Sequence, residues 1–278
     1  MNAPKPDDEL RQAGFSKGGK SAESQIVLGL LVSEDGYPLS YSIFNGSQYE
    51  GRTMIPIIDD FVRRFSLTDF IVVADSGLMS ERNVKLLESA GYKYILGARI
   101  RSESPKIKEW ILSIEKKDGH CQSCMKNETQ RLIVSYSDPR ARKDAWNRDK
   151  GVTRLRTAFV KGTLTKDKLN KRGFNKFLDI NKDITVSIYE EKIVDDSRWD
   201  GLKGYITNTE LPAMEIISQY HGLCGLLKGH FELVRPHWRC VRCFTLLRNE
   251  SRLTSASASL PTRFIRSLKG LFETSASI

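Results

Sequence analysis

The first hundred residues alternate between short apolar runs and helical repeats. Residues 25–32 form an almost unbroken apolar run, residues 34–36 are a Glu-Asp-Gly turn signal, and residues 39–44 alternate apolar and polar side chains. This pattern predicts an antiparallel hairpin. Apolar residues at helical spacing follow over residues 53–65, with Thr53 as the predicted N-cap, and they predict a helix.

A second apolar run, from Phe70 to Ala74, ends on one carboxylate, Asp75. Such a run is typical of a strand that is buried on both faces. Ser80 is the predicted N-cap of a following helix that ends at Gly91. Asp75 therefore lies at the carboxyl end of a predicted strand, where open α/β sheets place their chemistry. Its position alone leaves open a simpler role as a turn cap.

A further strand is predicted over residues 92–98, so the order of elements predicts an α/β fold, a mixed sheet flanked by helices. From residue 100 to about residue 197 the segments are longer, polar and rich in lysine, with predicted strands at 132–136 and 184–188 and a charged helix at 140–161. We interpret this region as an insertion. A short strand at 204–208 and a helix that Thr209 caps then return to the sheet.

The net charge of the 278-residue chain is +10, and its distribution is uneven. Residues 224–278 contain nine Lys and Arg and three acids, so they contribute +6 of this charge. The rest of the chain is close to charge balance, which makes the net charge weak evidence for nucleic-acid binding. No apolar run approaches the ~20 residues that span a membrane, and the polar start does not resemble a signal peptide. We expect a cytoplasmic protein with reduced thiols.

Five sequence words occur in order over most of residues 9–223: Gly14-Phe-Ser-Lys17, Gln25-Ile-Val-Leu-Gly-Leu-Leu31, Ile71-Val-Val-Ala-Asp-Ser-Gly-Leu-Met-Ser80, Gly91-Tyr-Lys-Tyr-Ile-Leu-Gly-Ala-Arg99 and Arg198-Trp-Asp-Gly-Leu-Lys-Gly-Tyr-Ile-Thr-Asn-Thr209. Together they resemble the DDE transposases of bacterial insertion sequences, in the branch with a β-containing insertion before the last acidic residue. Several long words in one order are more specific than a single short motif.

The resemblance implies an RNase H-like core in which three carboxylates hold two Mg²⁺ ions for DNA cleavage and strand transfer. Asp75 matches the second of these acids, so it is the expected catalytic and metal-binding residue. The expected partners are DNA, both the element ends and the target, and an intact transposase as a homo-oligomer. Arg198 and Lys203, beside the Asp200-Gly201 turn, and Tyr220 are the candidate DNA-binding residues.

Two departures from the family pattern affect the catalytic set. The family's first acid stands on a strand ahead of the Asp-Glu-Leu-Arg word at residues 8–11, so we expect that strand and its Asp to be missing. The third acid, a Glu, follows the Tyr220 position by seven residues in a Tyr-x₂-Arg-x₃-Glu-x₆-Lys pattern. Leu223, Leu227 and Val234 occupy the Arg, Glu and Lys positions of this pattern.

A frameshift near Leu223 accounts for these replacements. Suitable codons from Cys224 onward, read in a shifted frame, begin WSIERAFRISK, which places a Glu at position 227 and a Lys at position 234. We therefore expect four regions: a first part of the core at 1–99, an insertion at 100–197, a return to the core at 198–223, and an out-of-frame, disordered tail at 224–278. Whether the chain acts as an enzyme stays open, because two of the three acids are missing.

Other interpretations remain. The chain resembles an inactive transposase remnant, but a non-catalytic DNA-binding or inhibitory fragment and an unfolded product are alternatives. The pairs Cys121/Cys124 and Cys240/Cys243 have the composition of a Cys₄ zinc site, which would suit a zinc-binding nucleic-acid-binding protein. The predicted helix at 140–161 offers Arg142, Lys143, Arg148, Arg154 and Arg156 beside Trp146. We favour a solvated helix in which Asp144 and Asp149 form ion pairs, with a phosphate-contacting face as the alternative.

Overall fold

A computed structural model describes residues 12–13, 24–32, 38–45, 47, 54–66, 70–76, 80–163, 173–180, 186–222 and 240–247. The helices and strands of this part are β1 Gln12–Ala13, β2 Ser24–Val32, β3 Pro38–Asn45, α1 Met54–Phe65, β4 Ile71–Ala74, α2 Glu81–Ser89, β5 Lys93–Ala98, α3 Pro105–Ser113, β6 Cys121–Met125, β7 Arg131–Tyr136, α4 Asp138–Val160, β8 Leu178–Ile180, β9 Val186–Ile188, α5 Glu190–Ser197, β10 Leu202–Thr207, α6 at 213–222 and β11 Cys240–Leu247. Short 3₁₀ helices lie at Ile100–Ser102 and Gly173–Phe177.

The chain divides into two compact units. The first contains residues 1–98, 125–132 and 205–278, and the second contains residues 99–124 and 133–204. Among the described residues, no helix combines the length and apolar character that crossing a membrane requires.

The first unit is built on a mixed sheet with the strand order β3-β2-β11-β4-β5-β10. Strands β2 and β3 form the predicted antiparallel hairpin, in which Leu28 lies opposite Ile43. Strands β4 and β5 are parallel, with Val73 beside Ile95. These pairings, together with helices α1 and α2, confirm the predicted mixed α/β sheet flanked by helices.

Strand β11 lies in the middle of this sheet, which the sequence analysis did not predict. It runs parallel to β2, with Leu30 beside Cys243, and antiparallel to β4, with Ala74 opposite Phe244. It falls within residues 224–278, the expected disordered tail. The other residues of that range lie outside the described part of the chain, so whether the tail is out of frame stays a prediction.

The helices of the first unit follow the predicted pattern closely. Helix α1 buries one apolar stripe, which includes Ile57 and Phe61, in a core shared with β4 and β5. Helix α2 begins as predicted, because the Ser80 hydroxyl accepts a hydrogen bond of 3.1 Å from the Asn83 N–H. It ends at Ser89, and Gly91, just after the Ala90 cap, has a φ of +71°, which suits glycine after a helix C-terminus. The predicted cap Thr53 lies outside the described residues.

The predicted N-cap of the last helix is wrong. Helix α6 begins at residue 213 instead of following Thr209 directly. The Ile216 N–H donates to the Pro212 carbonyl at 3.1 Å, whereas the Thr209 hydroxyl lies 2.9 Å from the Thr207 hydroxyl. Thr209 thus satisfies its hydroxyl locally, as threonines near turns do, and Pro212 precedes the helix.

The second unit packs helix α4 against a small hairpin of β8 and β9. Its apolar cluster contains Val152 and Leu155 of α4 together with Phe177 and Leu178. Asp196 at the end of α5 accepts hydrogen bonds from Arg101 and Lys176. These ion pairs tie α5 to segments about 20 and 95 residues away, so they fix its position by long-range contacts.

We predict that proline at position 245 disrupts the sheet of the first unit. Thr245 lies between Val32 of β2 and Val73 of β4, and a proline there removes a ladder hydrogen bond from a strand that is paired on both sides. Thr245→Pro should lower the free energy of unfolding by about 1–3 kcal/mol, because a ladder hydrogen bond is lost and its acceptor is left without a partner. Thr245→Ala, which keeps the N–H, should cost less than about 1 kcal/mol. Urea unfolding measures both, and fast hydrogen exchange throughout Cys240–Leu247 would contradict the pairing.

We also predict an acid-sensitive ion pair at Asp196. Burial raises the pKa of this carboxyl, but hydrogen bonds from Lys176 and Arg101 outweigh burial, so its pKa lies below the ordinary value. A lowered folded-state pKa gives stability that is present above the unfolded value near pH 4 and is lost as the pH falls further. Asp196→Asn should therefore cost about 1–2 kcal/mol at pH 7.

The same substitution should matter less in acid, because the wild-type carboxyl is then protonated. Asp195→Asn is the matched control, since Asp195 is exposed and, among the residues that the structure describes, pairs only with Arg198, at 3.2 Å. Thermal unfolding at pH 7 and pH 3 compares the variants. An Asp196→Asn effect as small as that of the control at pH 7 would refute the stabilising role of this pair.

Candidate active site

Asp75 follows β4 directly and lies at the carboxyl end of that strand. All four residues of β4, Ile71–Ala74, are buried, whereas Asp75 is exposed. The buried run fixes the strand in the sheet, and the carboxylate emerges where the apolar run stops. Because β5 runs parallel to β4, the carboxyl ends of both strands meet at this edge of the sheet.

Hydrogen bonds fix the orientation of the Asp75 carboxylate. Its Oδ1 accepts from the Ser76 N–H at 2.7 Å, from the Ser76 hydroxyl at 3.3 Å and from the Tyr220 hydroxyl at 2.9 Å. The bonds to Ser76 are local, but Tyr220 is 145 residues away in the chain. Helix α6, which carries Tyr220, thus holds the carboxylate from the other end of the sequence.

Gly97 of β5 leaves room for this contact. A Cβ atom at position 97 would lie 2.5 Å from the Tyr220 hydroxyl and 2.9 Å from the Ser76 backbone nitrogen. Real Cβ atoms do not approach other atoms so closely, so any larger residue would displace either Tyr220 or the turn after Asp75. Glycine inside a predicted strand often marks a close approach of another group, and this was the sequence signal for Gly97.

The Tyr220 ring is itself held by aromatic neighbours. Its relative exposure is 1 %, and it packs edge-on against Tyr205 at 5.0 Å between ring centres. The Tyr205 hydroxyl lies 3.0 Å from Nε2 of His221. The sequence analysis did not identify Gly97, Tyr205 or His221 as parts of this site, because each acts through a contact between distant segments.

The three candidate DNA-binding residues fall in different places. Tyr220 lies beside Asp75 in the first unit, with its ring in the core, so only its hydroxyl end reaches the sheet edge. Arg198 and Lys203 belong to the second unit. Arg198 is exposed, bonds to Asp195 at 3.2 Å, and accepts a hydrogen bond on its carbonyl from Lys116 at 2.7 Å. DNA contact by any of the three stays a prediction.

The described residues do not fit a two-Mg²⁺ site. In that part of the chain, no three Asp, Glu, His or Cys side chains lie together as a metal ion would require. The residues of β11 that lie beyond Phe244 on the side of Asp75 are Cys240, Val241, Arg242 and Cys243, none of which is an acid. Mg²⁺ prefers oxygen ligands, and among these positions only Asp75 offers a carboxylate. Leu223, Leu227 and Val234 lie outside the described residues.

The first cysteine pair is poorly arranged for zinc. Cys121 and Cys124 both lie on β6. Residues three apart on a strand face opposite sides of the sheet, so these two sulfurs do not converge on one ion while β6 stays extended. Cys240 and Cys243 both lie on β11. Strand geometry therefore counts against the Cys₄ zinc interpretation.

Comparison with known proteins identifies the family of the chain. Residues 1–154 match the family model for the transposase DDE domain, which is more than half of the chain and includes Asp75. No curated protein and no solved structure matches the chain. The mixed sheet flanked by helices is consistent with the RNase H-like α/β fold of these transposases. The chain therefore belongs to the family of transposase DDE domains of the insertion-sequence type.

Proposed function

We propose that this chain is a DNA-binding remnant of an insertion-sequence transposase that does not cut or join DNA. One contrast carries the proposal. Asp75 stands at the position of the family's second acid and is held by Tyr220. The strand beside it, β11, contains no acid along Cys240–Leu247.

The chemistry explains why this contrast matters. Cleavage by two metal ions requires carboxylates that bridge the ions on both sides of a phosphate. One carboxylate is too few to hold such a pair, and Oδ1 of Asp75 already accepts three hydrogen bonds. We therefore propose that Mg²⁺, which the family uses, is not bound productively by residues 1–278.

The sequence after Leu223 supports the same proposal. Leu227 replaces the family's Glu and Val234 replaces its Lys. We infer that the reading frame changes near Leu223 and that residues 224–278 are out of frame. Strand β11 is compatible with a change of reading frame, because even an out-of-frame segment can form a strand when it is rich in residues that favour strands, as Cys-Val-Arg-Cys-Phe-Thr-Leu-Leu is. An unrelated sequence of that kind can supply the backbone groups that β2 and β4 need.

The proposed partners are duplex DNA and, in the cytoplasm, an intact transposase that binds the same element ends. A protein that retains the fold but lacks the chemistry would occupy element ends without cutting them. It would then compete with an active transposase, either on DNA or within a mixed oligomer. The exposed Arg198 and the half-buried Lys203 are candidate phosphate contacts in this proposal.

We predict that the purified chain has no Mg²⁺-dependent nicking activity on supercoiled plasmid or on duplexes that carry the element ends. Its rate should equal that of Asp75→Ala, because one carboxylate does not assemble the metal pair. Asp59→Ala is the matched control, since Asp59 accepts a tyrosine hydroxyl, that of Tyr92, at the same 2.9 Å. Nicking that Asp75→Ala abolishes and Asp59→Ala retains would overturn the proposal.

We further predict the nucleotide sequence of codons 215–235. Read in the shifted frame after Leu223, these codons should encode a continuation of helix α6 with a Glu at position 227 and a Lys at position 234. Direct sequencing of the gene decides the point. A stop codon in the shifted frame before that Lys would show that the tail has another origin.

A further inference from the structure

Helix α4 of the second unit has one buried face and one wide exposed face. Arg148, Gly151, Val152 and Leu155 are buried. At about 100° per residue, the opposite side forms an arc roughly 140° wide. We call the part of this side between residues 142 and 157 the α4 arc, and all of its members are exposed: Arg142, Lys143, Trp146, Asn147, Lys150, Thr153, Arg154 and Thr157.

The basic residues of α4 fall into two sets. On the rest of the helix they are ion-paired: Arg140 with Asp144, Arg148 with Asp200, and Arg156 with Glu190. The Arg148–Asp200 pair is the most buried of the three, and the hydrogen bond that Arg148 donates to Asp200 raises the pKa of Arg148. These pairs fix the helix on its unit and leave their cations little capacity for a ligand.

The four cations of the α4 arc differ from these three in their ion pairing. Arg142, Lys143, Lys150 and Arg154 form no ion pair with any residue that the structure describes. One exposed acid, Asp149, lies at the edge of the arc, about 20° from Arg142, and it forms no ion pair with a residue that the structure describes. The solvated-helix interpretation therefore accounts for Arg140, Arg148 and Arg156, which are ion-paired. It does not account for the cations of the α4 arc, which suit the alternative of a phosphate-contacting face. Four like charges along one side of a helix repel one another, and a polyanion would neutralise them.

Trp146 adds a second, independent feature to the α4 arc. Its side chain is 60 % exposed, which is unusual for an indole, and the Lys150 ammonium lies 4.6 Å from the ring centre. The contact holds the cation and the ring together at the centre of the arc. A flat aromatic group beside cations can pack against the sugars of a nucleic acid while the cations pair with its phosphates.

The length of the α4 arc matches a duplex. Lys143 and Arg154 are eleven residues apart, which is about 16 Å along a helix axis, or roughly half a turn of B-DNA. Lys143, Lys150 and Arg154 can thus each face a different phosphate. We propose that the α4 arc binds the phosphate backbone of duplex DNA without regard to base sequence. This inference rests on the proposed function in one respect, namely that DNA is the partner.

Fluorescence anisotropy with a labelled duplex of arbitrary sequence tests the assignment. The arc variant combines Lys143→Gln, Lys150→Gln and Arg154→Gln. The control variant combines Arg82→Gln, Lys106→Gln and Lys117→Gln, three exposed cations outside α4 that also form no ion pair with described residues. Both variants lose three charges from a net charge of +10, so the comparison separates position from total charge. Urea unfolding checks that both variants are folded.

We expect the arc variant to bind at least about tenfold more weakly than the wild type at about 100 mM salt, and its plot of log affinity against log salt to be less steep by about 2 to 3. The control should weaken binding less than about threefold. Equal losses in both variants would overturn the α4 assignment while leaving DNA binding intact. Wild-type protein that does not bind duplex would refute the proposed function and this inference together. Tighter binding to a single strand that Trp146→Ala abolishes would overturn the duplex assignment.

Discussion

The sheet of the first unit depends on the backbone pairing of eight residues, Cys240–Leu247. Strands β2 and β4 do not pair with each other but share β11 as a neighbour on both sides. Without it, the hairpin of β2 and β3 would separate from the strands that carry Asp75, and two rows of backbone donors and acceptors would lose their partners. An unpaired buried backbone group costs free energy comparable to a lost hydrogen bond, so this one strand joins the two halves of the sheet.

The geometry at Asp75 depends in turn on the register of β4 and β5. Parallel pairing of Ala74 with Leu96 brings Gly97 beside the turn at Ser76. The missing side chain of Gly97 then admits the Tyr220 hydroxyl, which reaches Oδ1 of Asp75. A shift of one residue in that register would replace glycine by a residue with a Cβ atom and would close the path. The orientation of the carboxylate is therefore a consequence of sheet pairing as much as of its own bonds.

Local sequence predicted much of this arrangement. The β2–β3 hairpin, helix α1, the buried strand before Asp75 and the Ser80 cap all depend on residues within a few positions of one another, and each was confirmed. The contact between Tyr220 and Asp75 joins residues 145 positions apart, and no periodic pattern in the sequence predicts it. The position of β11 between β2 and β4 could not be predicted from local sequence either, because a strand's neighbours depend on which sheet edges the rest of the chain leaves unpaired.

The fold and the reaction place different demands on the sequence, so a transposase fold can persist after the transposase reaction is lost. The core around Ile57, Val72 and Leu96 needs apolar side chains of suitable volume, and cores tolerate many such substitutions. The position between β2 and β4 needs only backbone hydrogen bonds, which the apolar run of β11 supplies. Catalysis by a metal pair needs particular carboxylates at particular positions, and no apolar replacement provides them. In the proposed remnant, changes that replace acids by apolar residues would remove the reaction first and would leave the sheet, the held Asp75 and the α4 arc in place.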